Sequence, residues 1–375
     1  MKLFPESAYI QLEFNKIREL LANYCETEWA TTKANELRIH TKKEFVDTEL
    51  RQSHEYRQLV INGISFPNNF VQNLSKELKL LSIPGAVLSG EEFNHIRKLA
   101  AVIENIFRWF DNEKQIAYSG LFKVISNTYY EKAIPELIND VLDENSQVKD
   151  NASEDLKNIR ISLYRKRNEL RRLFDKIVSK LNKQGYLAEI EESFMSGRRV
   201  LAVFAEQKRT VKGILHGESD SRKTAFVEPE ETIELNNAVY ELENDERKEV
   251  YRILRELTAR LSVYATLLTG WYKIVCEYDF IRAKAKLAAE IKGEYPIVVE
   301  KSGFHLVEAY HPLLLLYNQR TGKPTIPVTL TLDDANRILV ISGPNAGGKT
   351  VTMKTIGAVD QVGRQTMRQR GLDGL

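Results

Sequence analysis

Apolar residues recur at helical spacing over most of the chain. In "YIQLEFNKIRELLANYC", Leu12, Ile17, Leu20, Leu21 and Tyr24 fall on one side of a predicted helix. Turn-rich breaks follow at "NGISFPNN" and "SIPGAVLSG". "LSGEEFNHIRKLAAVIENIFRWF" predicts a further helix, with Ser89 as N-cap and Glu92 at the spacing of a capping box. Residues 1–153 therefore read as a helical core with ordinary apolar faces. From 154 the apolar stripe narrows. Leu156, Leu163, Leu170 and Ile177 recur every seven residues, with Ile159, Leu173, Phe174 and Leu181 in the seam between them. That spacing predicts one long helix, ending at Gly185.

The period then changes. "RRVLAVFA", "TVKGILHG" and "KTAFVEP" are short, rich in β-branched residues and separated by turn signals, so 186–229 reads as a small β module. Residues 230–292 read as a second very long helix, its apolar stripe carried by Ile253, Leu257, Leu261, Tyr264 and Leu268. At ~1.5 Å per residue, a helix of about 30 residues spans about 45 Å. Two such helices flanking a β module predict an antiparallel arm with a sheet at its tip. From 293 the chain turns strand-like, in "PIVVE", "FHLVEA", "IPVTLTL" and "RILVIS". The predicted fold class is mainly α, with a small β module, long antiparallel helices and the start of an α/β phosphate-loop domain over 293–375.

The last of those strand-like runs leads into Gly343-Pro344-Asn345-Ala346-Gly347-Gly348-Lys349-Thr350, and "KTVTMKTIGAVDQV" follows with helical character. This is G-x-x-x-x-G-K-[ST] in the strand–loop–helix context that a phosphate loop requires. Glycines let successive backbone N–H groups converge on a phosphate, and the start of a helix adds its unpaired N–H groups and positive dipole end. Lys349 is expected to reach the outer phosphates of ATP and Thr350 to ligate Mg²⁺.

Charge and composition narrow the picture less. There are 54 basic and 52 acidic residues, so overall charge favours no partner class. The segment 154–184 carries ten basic and four acidic residues, which a solvated coiled-coil face also explains. In the β module, Arg198 and Arg199 sit at a turn and Lys208, Arg209, Lys212, Arg222 and Lys223 lie nearby. Glu191, Glu192, Glu206, Glu218 and Asp220 dilute them. A basic tip on a long arm is suited to gripping phosphates without reading bases. Cys25 and Cys276 are far apart, which argues against a disulfide framework or a zinc site. With no signal-like start and no run of 18 apolar residues, the expected location is cytoplasmic, with no membrane partner. His311 before Pro312 reads as a turn-setting residue; His40, His54, His95 and His305 show no partner pattern.

"GPNAGGKTVTMKTIG" resembles the phosphate loop of the MutS ATPases, and Thr350-Val351-Thr352 is similar to the second subgroup of that family. "AEQKRTVKGILHGESDSRKTAFVEPEETIELNN" resembles the subgroup's clamp segment, through Lys208-Arg209, Gly213, His216, Ser219, Glu228-Pro229 and Asn236-Asn237. "LEFNKIRELLANYC" and "YHPLL" look like its N-terminal start and its ATPase-domain entry, so the resemblance covers residues 8–357. It implies a helical core (1–153), a lever helix (154–185), a β clamp (186–229), a returning lever (230–292) and an ATPase domain entered at 293. It also implies ATP and Mg²⁺ as cofactors, Val351 and Ile326 beside the nucleotide, and a homodimer. Arg198, Arg199, Lys208, Arg209 and Lys212 are the candidate nucleic-acid contacts. The subgroup acts on branched DNA, suppressing recombination, or on collided ribosomes through rRNA, and many members carry an Smr nuclease domain.

After Gly357, "AVDQVGRQTMRQRGLDGL" departs from the family, whose acidic metal-binding strand, signature loop and Smr segment are not seen. The expectation at this stage is a truncated gene product with no catalytic residues of its own and no hydrolysis alone. An inactive core-and-clamp scaffold, and a transport or chromosome-organising ATPase that also uses "GPN", are the competing readings. More than 300 helix-rich residues ahead of the loop favour the MutS type over the last of these.

Overall fold

Local capping and burial set the helix boundaries. In the computed structural model, which describes residues 8–37, 42–297, 304–333, 335–336, 338–344 and 348–363, Ser89 and Glu92 bond reciprocally. The Ser89 N–H donates to Glu92 Oε2 (2.8 Å), and the Glu92 N–H donates to Ser89 Oγ (3.4 Å). This capping box opens the helix expected there. The chain is mainly helical. It begins α1 (Ala8–Gln11), α2 (Phe14–Ala22), α3 (Glu28–Asn35), α4 (Lys43–Ile61), α5 (Ser75–Leu81), α6 (Gly90–Trp109), α7 (Asn112–Ala117), α8 (Ser119–Ile125) and α9 (Ala133–Val141). Then come α10 (Glu154–Asn182), β1 (Leu187–Met195), β2 (Arg198–Phe204), β3 (Gly213–Glu218), β4 (Thr224–Pro229), α11 (Ile233–Ser262) and α12 (Ala265–Glu290). The last elements are β5 (Phe304–Ala309), α13 (Pro312–Thr321), β6 (Val328–Leu332) and α14 (Lys349–Gly363).

Contacts divide the chain into two units. One takes in the described residues of Met1–Leu78, His95–Pro135 and Tyr264–Leu375. Its centre is α12, buried almost all round from Val275 to Ala288 although it carries Asp279, Arg282 and Lys284 in that stretch. The polar groups trapped there are matched. Asp279 accepts from the Thr27 N–H (2.7 Å) and hydroxyl (2.8 Å) and from Arg282 (2.6 Å), holding the start of α3 against α12. Glu55 of α4 accepts from the Gly120 and Leu121 N–H groups (3.0 and 2.8 Å), fixing the start of α8. Further on, β5 and β6 pair antiparallel with Leu306 opposite Leu330, and Ile356 of α14 packs onto that pair. The His311 Nδ1 accepts from the Leu314 N–H (3.4 Å) and caps α13, with Pro312 in its first turn. Burial lowers the pKa of His311 below its ordinary value, which keeps the ring neutral and able to accept. The turn-setting role expected of His311 is thus a helix cap.

The other unit takes in Lys79–Asn94 and Glu136–Val263. Here Ser153 meets Glu249 (2.7 Å), Arg160 meets Glu246 (2.8 Å) and Arg167 meets Glu243 (2.7 Å). One set of numbers rises as the other falls, so α10 and α11 run antiparallel. The heptad positions Leu156, Leu163, Leu170 and Ile177 are all buried. Strands pair antiparallel in the order β1-β2-β4-β3. Leu201, Val203, Ala225 and Val227 turn one sheet face onto Leu170, Phe174, Ile177 and Leu181, closing a core between sheet and helix.

Four expectations change. The predicted helix over residues 9–25 breaks at Glu13, whose φ of 56° is left-handed. The second long helix breaks at Val263 and Tyr264 into α11 and α12. Its apolar stripe runs on through the turn, so periodicity carried no sign of it. "RILVIS" is irregular over 338–342, with Ile338 and Val340 85% and 82% exposed. A lone strand leaves its backbone groups without a ladder, and no described strand pairs with this one. Conversely, β1 is a strand that "LAEIEESFM" did not announce, because its polar and apolar residues do not alternate cleanly and only Leu187 is buried. Residues 298–300 of "PIVVE", and His40, lie outside the described residues. His95 and His305 do have partners, Glu77 (2.8 Å) and Thr331 (2.5 Å).

Gly213 has φ of 157°, and a Cβ there would lie 2.0 Å from the Glu228 carbonyl oxygen. Gly185, at φ 72°, has open space around it. Gly213→Ala is therefore expected to lower stability in urea unfolding by at least ~3 kcal/mol, and Gly185→Ala by only about 1 kcal/mol. Equal losses would show that the β3–β4 approach is not what requires glycine.

Candidate nucleotide loop and nucleic-acid interface

Of the loop residues, Gly343, Pro344, Gly348, Lys349, Thr350 and Val351 are described; Asn345, Ala346 and Gly347 lie outside the described residues. Gly343 and Gly348 have φ of 144° and 78°, conformations that favour glycine. Lys349 is the first residue of α14 and Thr350 the second. The Lys349 Nζ donates back to the Gly343 carbonyl, so the cation spans the loop from the helix start. Thr350 is exposed, and its hydroxyl has no partner among the described residues. The first N–H groups of any helix lack intrahelical acceptors. Ammonium, hydroxyl and helix start therefore make a donor set that suits a polyphosphate with Mg²⁺. Ile326 sits between α13 and β6, 87% exposed, and no described contact joins it to the loop.

The helix that the loop opens is anchored to the body. Lys354 reaches Glu13 at 2.9 Å, and Lys16 reaches the same carboxylate at 2.6 Å. A Cβ on Gly357 would lie 2.6 Å from the end of the Leu12 side chain, so α14 approaches Leu12 closely there. The hydrogen bond from Lys16, and then that from Lys354, hold the Glu13 carboxyl down at about 2. Among the described residues no group of three or more acidic, His or Cys side chains is arranged to hold a metal.

On the arm, the cations singled out in the sequence are largely committed. The Glu228 carboxylate is fully buried. It accepts from Arg198 (2.8 Å) and from the Asn236 amide (2.9 Å), and the His216 Nε2 lies 2.6 Å from its other oxygen. Arg198 also donates to Asn237. The Asn236 side chain bonds both the N–H and the C=O of Arg199 (3.2 Å each). It replaces a rung of the ladder where β4 has ended at Pro229. Arg199 forks onto Glu192 (2.9 Å twice) and lies 4.8 Å over the Phe174 ring. Lys208 pairs with Glu218. Arg209 and Lys212 are exposed, and their side chains have no partner among the described residues. The structure thus brings Arg198 and Arg199 together as internal ties and leaves Arg209 and Lys212 outside them. Pattern reading could not find the Glu228 hub: its members come from β2, β3, β4 and α11, and no spacing in the chain connects them.

The chain is mainly helical, with two long antiparallel helices packed on a four-stranded sheet and a glycine-containing loop at the start of a helix. No protein-family profile matches the chain. It is 31% identical over 352 residues to Endonuclease MutS2 of Aquifex aeolicus (strain VF5), covering 94% of this chain and 45% of that protein. It is 32% identical to Endonuclease MutS2 of Clostridium botulinum (strain ATCC 19397 / Type A), covering 93% and 43%. With Endonuclease MutS2 of Alkaliphilus metalliredigens (strain QYMF) the identity is 30%, covering 96% and 44%. Similarity of this extent supports the MutS2 family for this chain. The chain spans less than half the length of these relatives.

Glu228→Ala is expected to cost about 3–5 kcal/mol in denaturant unfolding, because it strands the buried ends of Arg198 and His216. Arg209→Ala should change stability by no more than about 0.5 kcal/mol. The Glu13 ties carry a pH signature. Its pKa is depressed from the ordinary 4.5 to about 2, so their stabilisation is complete above 4.5 and is lost as pH falls toward 2. Lys354→Ala should move the Glu13 carboxyl midpoint, followed by carbon NMR, part of the way back up. An unmoved midpoint would mean that Lys354 does not hold α14 through Glu13.

Proposed function

We propose that this chain binds ATP with Mg²⁺ at the 343–351 loop and contacts DNA through its arm, as in an ATP-dependent DNA-binding protein of the MutS type. The observation that carries the reading is the placement of Lys349 and Thr350 at the start of α14, with Lys349 turned across the loop to Gly343. Lys349 neutralises the outer phosphates, Thr350 supplies a metal ligand, and the first N–H groups of α14 complete the cradle. Bound Mg²⁺ would offset phosphate charge. Arg209, Lys212, Arg222 and Lys223 are the exposed cations of the β module, while Arg198, Arg199 and Lys208 keep the module in shape. The finer reading is binding of branched DNA by a homodimer, in suppression of recombination, and it rests on the family resemblance. No described helix is long and apolar enough to cross a membrane.

Titration with a fluorescent ATP analogue tests the nucleotide site. Lys349→Ala should weaken Mg²⁺-dependent binding at least about tenfold, the worth of one charge-assisted hydrogen bond. Thr350→Ala should reduce the gain that Mg²⁺ provides. Binding that is equal in both variants and in the unaltered chain would remove the loop from the function. Competition of a labelled DNA junction by ribosomes would move the partner from DNA to rRNA.

A further inference from the structure

We infer that the solvent face of α10 is a docking surface for the phosphate backbone of duplex DNA, formed by Arg165, Arg172, Lys176, Lys180 and Lys183. The inference rests on the DNA-binding reading above and assigns it a surface outside the β module. Arg172, Lys176 and Lys180 follow at four-residue steps. Arg165 and Lys183 lie seven residues before Arg172 and seven after Lys176, so all five share one face. The buried seam of the same helix runs through Leu163, Leu170, Phe174, Ile177 and Leu181, on the opposite side.

Pairing distinguishes this row from most of the arm's other charges. Lys157, Arg160, Lys166 and Arg167 on α10, and Lys248 and Arg252 on α11, each have a carboxylate partner. The five cations of the row are exposed, and none has a hydrogen bond or ion pair among the described residues. Between Arg165 and Lys183 the carboxylates on α10 are Glu169, which pairs with Lys166 at 2.7 Å, and Asp175, which lies 3.8 Å from Arg199. A helix dipole favours cations in the last turn, which covers Lys180 and Lys183 but not Arg165, Arg172 or Lys176. Like charges at four-residue spacing destabilise a helix slightly, so an unpaired row is a local cost that an anionic partner would offset.

The dimensions fit a duplex. Steps of four residues advance about 6 Å, close to the ~6.8 Å rise of two nucleotides on one strand. The row extends about 27 Å, the rise of roughly eight base pairs. A depression of about 680 Å³ lies along it, lined by Lys176, Ser179, Lys180, Lys183 and Gln184 and, at its edge, by one carboxylate, Asp175. The row contains no aromatic side chain, so it has no platform for stacking unpaired bases. Phosphate contact without stacking favours double over single strands and carries no sequence preference.

The test is the salt dependence of binding by the full chain to a mixed-sequence DNA duplex, read by fluorescence anisotropy. The variant is Arg172→Gln/Lys176→Gln/Lys180→Gln, in which glutamine preserves helix propensity; circular dichroism confirms folding. Loss of three phosphate contacts should reduce the log–log salt slope by about 2.7. Affinity near 0.1 M salt should then fall by about 500-fold on every sequence. The matching α11 variant, Arg247→Gln/Lys248→Gln/Arg255→Gln, should keep affinity and slope. If the unaltered chain binds duplex and the α10 variant retains its slope, the row is not the surface, although the DNA-binding reading survives. If the unaltered chain does not bind duplex, both fail. A loss confined to single-stranded DNA or to duplex RNA would also overturn the assignment.

Discussion

The arm depends on one buried charge. Glu228 has no access to water, and an isolated carboxylate in such a place would cost many kcal/mol. It is retained because Arg198, His216 and Asn236 surround it with donors contributed by β2, β3 and α11. Satisfying that one group fixes the sheet against the start of α11. The neighbouring constraints then follow. Asn236 stands in for the missing rung beside Arg199, and Gly213 lets β3 pass close to the Glu228 backbone. Removing a partner from such a site leaves a polar group unmatched, so the hub holds or fails as a unit.

The same economy shapes the rest of the chain. Asp279 anchors the start of α3 to α12, and Glu55 anchors the start of α8. In each case a carboxylate on a long, well-packed helix accepts from the free N–H groups at the start of a shorter one. The phosphate loop is attached to the body through a related device. α14 runs unbroken from Lys349 to Lys354 and Gly357, and those last two residues meet Glu13 and Leu12 at the break between α1 and α2. Groups suited to phosphate and groups that grip the helical body thus share one short rigid helix. Glu13, left-handed in its backbone, holds both lysines with its side chain.

Charge has two distinct uses on the arm. Arg198 and Arg199 are conspicuous in the sequence as a basic pair, yet folding turns them inward, onto Glu228 and onto Glu192 and Phe174. The cations on the solvent face of α10 look ordinary in the sequence, where a solvated coiled-coil face explains them equally well. Which basic residues remain free for a partner depends on the positions of the carboxylates, and those are contributed by other strands and helices.

Period and motif by themselves determined much of this protein. Four buried leucine and isoleucine positions at seven-residue spacing marked α10 nearly to its ends, and Ser89 with Glu92 marked a real helix start. The G-x-x-x-x-G-K-T spacing was legible because it is local; Lys349 and Thr350 do open a helix, and Gly343 and Gly348 do take positive φ. Tertiary structure decided the remainder. The break at Val263 and Tyr264 is invisible to periodicity because the apolar stripe continues across it. The run 338–342 has strand composition but gains a ladder only from a neighbour, and no described strand supplies one. β1 mixes polar and apolar residues without a clean alternation and is a strand because β2 pairs with it. Glu228, His216 and Asn236 acquire their roles only when four elements meet around a group that water cannot reach. Local spacing records what a segment can do alone; burial and pairing depend on residues far away in the chain.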